Sequence, residues 1–309
     1  MKPLHVVTPL WESSALSALA NKQVFLKMDA LQPVGSFKIR GMGAACQKHV
    51  EAGARHLVCS SGGNAGYAVA YAGRRLGARV TVVVPETASE RSRAMIRSEG
   101  GEVEEHGKVW DISHAYACEL AKDEASAYVH PFDDPTVWNG HASIIDEVVE
   151  TGVRPGAVVV SVGGGGLLCG VLEGMHRAGW DDVPVVAAET DGAASLEASL
   201  SAGRLVTLDS ITSIATTLGA RAVATECLSW ANRRSITPWT MTDREAVEAC
   251  LRFADDHRVL VEHACGAALA AVYRGASPLE HVDSVLVIVC GGAGVSLELL
   301  DSWSKQVGL

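Results

Sequence analysis

Ala157-Val158-Val159-Val160-Ser161-Val162-Gly163-Gly164-Gly165-Gly166-Leu167 sets an apolar run directly against four glycines, and an apolar helical stretch to about Arg177 follows. A short run of β-branched residues without polar alternation has both faces buried, the habit of a strand in a parallel sheet. Four glycines ahead of a helix leave backbone N–H groups uncovered at its N-terminus, where the partial positive charge of the peptide dipoles collects. The order strand, glycine turn, helix therefore describes a βα unit with an anion cup at the carboxyl end of the strand. A tight corner without any ligand would use the same residues. Two common phosphate motifs fail here. The dinucleotide fingerprint needs a third Gly or Ala at 168 or 169, which are Leu168 and Cys169, and a P-loop needs Lys after Gly170, where Val171 stands. The group that fits is a monophosphate rather than a dinucleotide or ATP.

The same rhythm runs outward in both directions. Downstream, Val183 to Glu189 and Ser284 to Cys290 read as further strands. Upstream, the pattern predicts a helix from Lys38 to about Ala52, a strand His56 to Cys59, a helix Asn64 to Leu76, and a strand Arg79 to Val84 closed by Pro85. A helix Ser89 to Ser98, a strand Glu102 to Glu105 and a helix His114 to Asp123 continue it. Pro131 to Pro135 then punctuates the chain before a helix His141 to Thr151. Two α/β domains are expected.

Two more glycine turns follow strands. Ser60-Ser61-Gly62-Gly63-Asn64-Ala65 offers hydroxyls, free N–H groups and the Asn64 amide to a small anion such as a carboxylate, although an ordinary helix cap would look the same. Cys290-Gly291-Gly292-Ala293-Gly294 places a thiol where open α/β sheets bind ligands, although a buried thiol also packs as a small hydrophobe. The fourth feature is Gln32-Pro33-Val34-Gly35-Ser36-Phe37-Lys38-Ile39-Arg40-Gly41, a turn that delivers Lys38 to a helix start with Ser36 as the expected N-cap. A cation is disfavoured at that end of a helix, so its placement there suggests an amine kept for nucleophilic or basic chemistry, although a lone lysine is more often a solvated surface residue.

Composition narrows the partners. The 309 residues are 48% hydrophobic, enough for a packed core, and a formal charge of -10 without a basic cluster argues against nucleic acid. None of the eight cysteines forms a Cys-x-x-Cys pair, so neither a disulfide framework nor a zinc site is indicated. No uncharged apolar run reaches membrane-spanning length and Met1 to Leu10 lacks a signal-peptide core, so a cytoplasmic protein without membrane contact is expected.

An amine nucleophile, a carboxylate loop, a monophosphate cup and a weakly polar group at a strand end describe one site. The chain resembles the serine and threonine dehydratases, pyridoxal-phosphate enzymes of fold type II with the tryptophan synthase β-like architecture, and most of all those that degrade serine. The resemblance covers nearly the whole length. It rests on Gly35-Ser36-Phe37-Lys38-Ile39-Arg40-Gly41, Cys59-Ser60-Ser61, Gly63-Asn64-Ala65-Gly66, Ser161 to Gly170, Cys265-Gly266-Ala267-Ala268-Leu269 and Val289-Cys290-Gly291-Gly292.

The resemblance implies two open twisted α/β domains with pyridoxal 5'-phosphate in the cleft between them. The larger would comprise 1–39 and 131–309, and the smaller, inserted one 40–130. Lys38 would carry the cofactor covalently and act as catalytic base, Phe37 would lie beside it, and Asn64 would bond its 3-hydroxyl. Gly163, Gly164, Gly165, Gly166 and Leu167 would hold its phosphate and Cys290 would face its ring nitrogen. Ser61, Gly62, Gly63, Asn64 and Ala65 would bind the carboxylate of an amino-acid substrate. Positions matching Glu189, Ala193 and Ser195 would hold a monovalent cation, potassium suiting a site with a neutral serine. A homodimer is expected, and the chain, ending at Leu309, has no room for the regulatory domain of biosynthetic threonine dehydratases. The implied reaction is deamination of L-serine, with L-threonine as a second substrate. Racemases of the same fold carry an acidic serine hydroxyl at the position of Gly62, and a non-catalytic cofactor-binding protein would keep the binding residues alone. Departures from the family pattern are Val34, Gly62, His263 after Glu262, and a short loop Arg274 to Asp283.

Overall fold

The computed structural model describes residues 1–309 and contains ten strands. They are β1 (Leu10–Glu12), β2 (Gln23–Lys27), β3 (His56–Cys59), β4 (Arg79–Val84), β5 (Glu102–Glu105), β6 (Ser126–Tyr128), β7 (Ala157–Ser161), β8 (Val185–Thr190), β9 (Ile236–Met241) and β10 (Ser284–Ile288). Two sheets result, in the orders β5-β4-β3-β6 and β1-β2-β10-β7-β8-β9. Every pairing is parallel except β1 with β2, so helical crossovers connect the strands. No helix is long and apolar enough to cross a membrane.

The chain divides into two compact units. The first holds Met1–Val6 and Gln32–His141 with the four-stranded sheet, and the second holds Val7–Leu31 and Ala142–Leu309 with the six-stranded sheet. These bounds differ from 40 and 130, and the reasons are local. Gln32 exchanges two hydrogen bonds with the backbone of Val6, 3.0 Å at the N–H and 2.8 Å at the carbonyl, which ties the first residues to this unit. Ile39, Met42 and Cys46 of the helix Lys38–Glu51 share a core with Leu57, Val69, Val82, Ile96 and Val137. That core extends past residue 130 because the helix expected at His141 begins at Pro135. Proline suits a first helical turn, where its missing N–H has no partner to lose, and Asp134 accepts from Thr136 N at 2.6 Å. The helix expected from His114 likewise begins earlier, at Trp110.

In the second unit all residues of β7 and β8 are buried, which is why these strands read as unbroken apolar runs. The strand β9 escaped the sequence reading because Pro238 interrupts it. Proline cannot donate to a ladder, and β9 tolerates it as an edge strand. Among the charges buried in this unit, Lys27 is 1% exposed, forms an ion pair with Glu147, and donates to Thr8 O at 2.6 Å and Thr8 Oγ1 at 2.7 Å. Thr8 Oγ1 donates in turn to Asp29 at 2.7 Å, so the buried ammonium is compensated by both charge and dipoles.

Candidate active site

In the first unit Lys38 is the first residue of its helix, but Ser36 does not cap it. Phe37 occupies the cap position in helical conformation without any side-chain cap, and the Ser36 hydroxyl is buried without a hydrogen-bond partner. The turn therefore leaves an unsatisfied hydroxyl two residues before Lys38. Lys38 Nζ donates to Pro131 O at 2.7 Å and lies 5.3 Å from the Phe37 ring centre. Its charge acts on Cys59, whose thiol burial pushes up to about 12 against that influence, on the half-buried ring of His130 and on the buried ring of His141.

Cys59 ends β3, and the loop Ser60 to Gly63 leads from it into the helix Asn64–Leu76. Gly63 is the N-cap and no side chain caps the helix, so its first N–H groups face the loop. Gly66 is required by close approach: a Cβ there would stand 1.9 Å from Ser61 O. Lys38 and the residues 61 to 65 thus share one unit.

The other residues named from sequence share the second unit, at the carboxyl ends of the neighbouring strands β10, β7 and β8. The helix Gly166–Arg177 has Gly165 as N-cap, at φ 86°, and again no side chain caps the first turn. A Cβ on Gly165 would meet Cys227 Sγ at 2.3 Å, and Gly164 O accepts from Ala224 N at 2.9 Å, so the segment 224 to 227 fixes the turn from behind. Cys290 Sγ lies 4.0 Å from Ser161 Oγ. A hydrogen bond with Cys265 and burial raise its pKa far above the ordinary thiol value, Ser161 opposing, so it stays a neutral thiol. Glu262 accepts from Gly294 N at 2.6 Å and holds the third glycine turn. His263 is buried and meets the Trp303 ring at 4.3 Å between centres.

Glu189 is fully buried near the end of β8. Burial pushes its carboxyl up to about 7, although Leu196 N and Glu197 N donate to it at 2.9 and 2.8 Å. Nearby, Ser195 N bonds Ala193 O at 3.1 Å, and the Ser195 hydroxyl is buried without a partner. A carboxyl group and an unsatisfied hydroxyl together make a small oxygen-rich place.

The histidines make the protein sensitive to acid. Burial lowers both His130 and His263 to about 4 and His141 well below the ordinary value; Asp134 opposes the shift at His130 and Asp243 at His263. Between pH 6.5 and about 4 the unfolded chain therefore takes up protons that the native rings refuse. Stability should fall on acidification, each such ring contributing a slope approaching about 1.4 kcal/mol per pH unit. Urea unfolding at several pH values across this window measures it, and a stability that holds or rises toward pH 4 would contradict the burial of these rings.

Sequence reasoning missed Cys227, Glu262, Tyr128 and His114, all of which brace the glycine turns from positions distant in the chain. In each unit, loops at the carboxyl ends of parallel strands with uncapped helix starts suit an α/β protein whose ligand carries an anionic group. Residues 1–291 match the profile of the family described as pyridoxal-phosphate dependent enzyme, and the chain belongs to that family. A serine dehydratase-like protein of Rattus norvegicus is 50% identical over 317 residues, spanning 99% of this chain and 96% of that one. L-serine dehydratase/L-threonine deaminase of Homo sapiens is 46% identical over 318 residues, spanning 100% and 97%. The crystal structure of a fungal L-serine ammonia-lyase from Rhizomucor miehei matches with a TM-score of 0.93 at 36% identity, over 99% of this chain and all of that one. The fold is that of the fold type II pyridoxal-phosphate enzymes.

Proposed function

We propose that the protein deaminates L-serine to pyruvate and ammonia, and L-threonine to 2-oxobutanoate and ammonia, as a pyridoxal 5'-phosphate-dependent lyase. The kinship with proteins so named supports the substrate class. The observation that carries elimination over racemisation is Gly62. Returning a proton to the face opposite Lys38 needs an acid there, and this position has no side chain to supply one.

The residues present fit the cofactor. The uncapped N–H groups from Gly163 to Leu167 suit a phosphate, Asn64 suits the 3-hydroxyl, and Phe37 flanks the lysine. Bound pyridoxal phosphate would supply the electron sink for the bond broken at Cα. Cys290, a neutral thiol, would face the ring nitrogen of the bound cofactor and would support a positive charge there poorly. Ser61 and Gly62 to Ala65 hold the substrate carboxylate with hydroxyl and backbone N–H groups. Lys38 Nζ takes the Cα proton. Glu189, Ala193 O and Ser195 would hold a monovalent cation, which would ease the cost of a buried carboxylate and satisfy the Ser195 hydroxyl.

The test is to incubate the holoenzyme with L-serine and follow pyruvate by coupled reduction beside D-serine on a chiral column. Pyruvate is expected to dominate, at a higher rate in potassium than in tetramethylammonium after dialysis. D-Serine accumulating as fast as pyruvate would overturn the lyase reading, and equal rates in the two cations would remove the cation.

A further inference from the structure

Ser60 is held more firmly than its neighbours in the loop. It is fully buried, and its two polar handles are both taken. The Trp110 indole N–H donates to its carbonyl, and its hydroxyl lies 2.6 Å from Tyr128 Oη. His114 Nδ1 lies 2.7 Å from the same phenol oxygen and 3.5 Å from Ser60 Oγ. Trp110 and His114 stand one turn apart on the helix Trp110–Leu120, their rings stacked with centres 4.8 Å apart and planes 14° from parallel. Tyr128 closes β6, the parallel neighbour of β3, and pairs with Val58 two residues before Ser60. A helix and a neighbouring strand thus converge on one serine.

Ser60 Oγ, Tyr128 Oη and His114 Nδ1 form one hydrogen-bonded chain whose direction is set by the His114 tautomer. Burial keeps His114 neutral against the opposing charge of Asp111, and keeps Tyr128 protonated. Cys118 Sγ, 3.9 Å from the His114 ring nitrogens, and the edge of the His130 ring complete its surroundings. Next in the loop, Gly62 and Gly63 carry no side chain to anchor them, and the bond from Gly63 N to Ser61 Oγ is long at 3.4 Å. Gly66 lies under Ser61 O where the loop begins, and Ser60, one residue earlier, ties this end of the loop to β6 and to the helix Trp110–Leu120.

We propose that Tyr128 and His114 are positioning residues for the substrate: through Ser60 they fix where the loop 61 to 65 begins, and so how well its N–H groups meet an amino-acid carboxylate. The inference rests on the reading of that loop as the carboxylate site. Neither residue touches the reacting atoms, so their loss should weaken substrate capture and spare the chemical step.

Tyr128→Phe removes the phenol and keeps the ring. His114→Phe, the second variant, keeps the stack on Trp110 and removes Nδ1. In either, KM for L-serine should rise about three- to tenfold, the value of a single hydrogen bond, with kcat within about twofold. Amide hydrogen exchange of the peptide covering Ser60 to Ala65 should quicken, while the helix Asn64–Leu76 beyond its first turn exchanges as in the unaltered protein. An unchanged KM in a variant that still makes pyruvate, or unchanged exchange in the loop, would overturn the proposal. If the unaltered protein made no pyruvate, the lyase reading would fail by itself, and loop exchange would still decide the role of Tyr128.

Discussion

Lys38→Ala lowers the turnover of L-serine by about 10²–10⁴-fold, the contribution of a positioned general base, and by more if covalent attachment of the cofactor is also needed for binding. The expectation comes from position. Lys38 opens its helix without a side-chain cap, and a carbonyl from Pro131 holds its amine at 2.7 Å. A lysine there gains nothing for the helix, since the dipole at that end repels it. Borohydride reduction of the holoenzyme followed by peptide mapping should find the cofactor on this residue. A cofactor fixed to another lysine, or a variant retaining more than about a hundredth of the activity, would reassign the base.

Gly165→Ala is the second large effect, and it separates into two parts. At φ 86° an alanine costs about 1–2 kcal/mol for its left-handed backbone. Its Cβ, 2.3 Å from Cys227 Sγ, adds about 1–3 kcal/mol of overpacking or pushes the turn away from the helix start. Where the turn relieves this strain by moving off the helix start, binding must restore it, and each 1.4 kcal/mol so restored weakens pyridoxal phosphate about tenfold. Adding Cys227→Ala should recover the steric part and leave the backbone part. Cofactor titration followed by absorbance measures both, and an unchanged affinity in Gly165→Ala would show that the phosphate lies elsewhere.

Much of this arrangement is legible in sequence where the signal is local. The strands His56–Cys59 and Arg79–Val84 and the helix Asn64–Leu76 fall where read, because Gly77, Pro85 and the glycines at 62 and 63 mark their ends. Signals with two meanings misled. Pro135 looked like a break and is a helix start, Pro238 hid an edge strand, and Ser36 looked like a cap but is buried. The braces were invisible for another reason. Ser60 and Tyr128 are 68 positions apart and Gly165 and Cys227 are 62, and no spacing rule links residues that meet only through the packing of a sheet.

Both sheets are open, and an open sheet has free edges onto which a foreign strand could add. Each edge here carries its own obstacle. β1 and β6 have three residues each, too few for a durable ladder. β5 reads Glu102-Val103-Glu104-Glu105 and meets any incoming strand with three carboxylates, and β9 carries Pro238. Copies of the chain that associate would have to do so through helix faces and loops, and a change that discharged β5 or replaced Pro238 would invite aggregation before it touched catalysis.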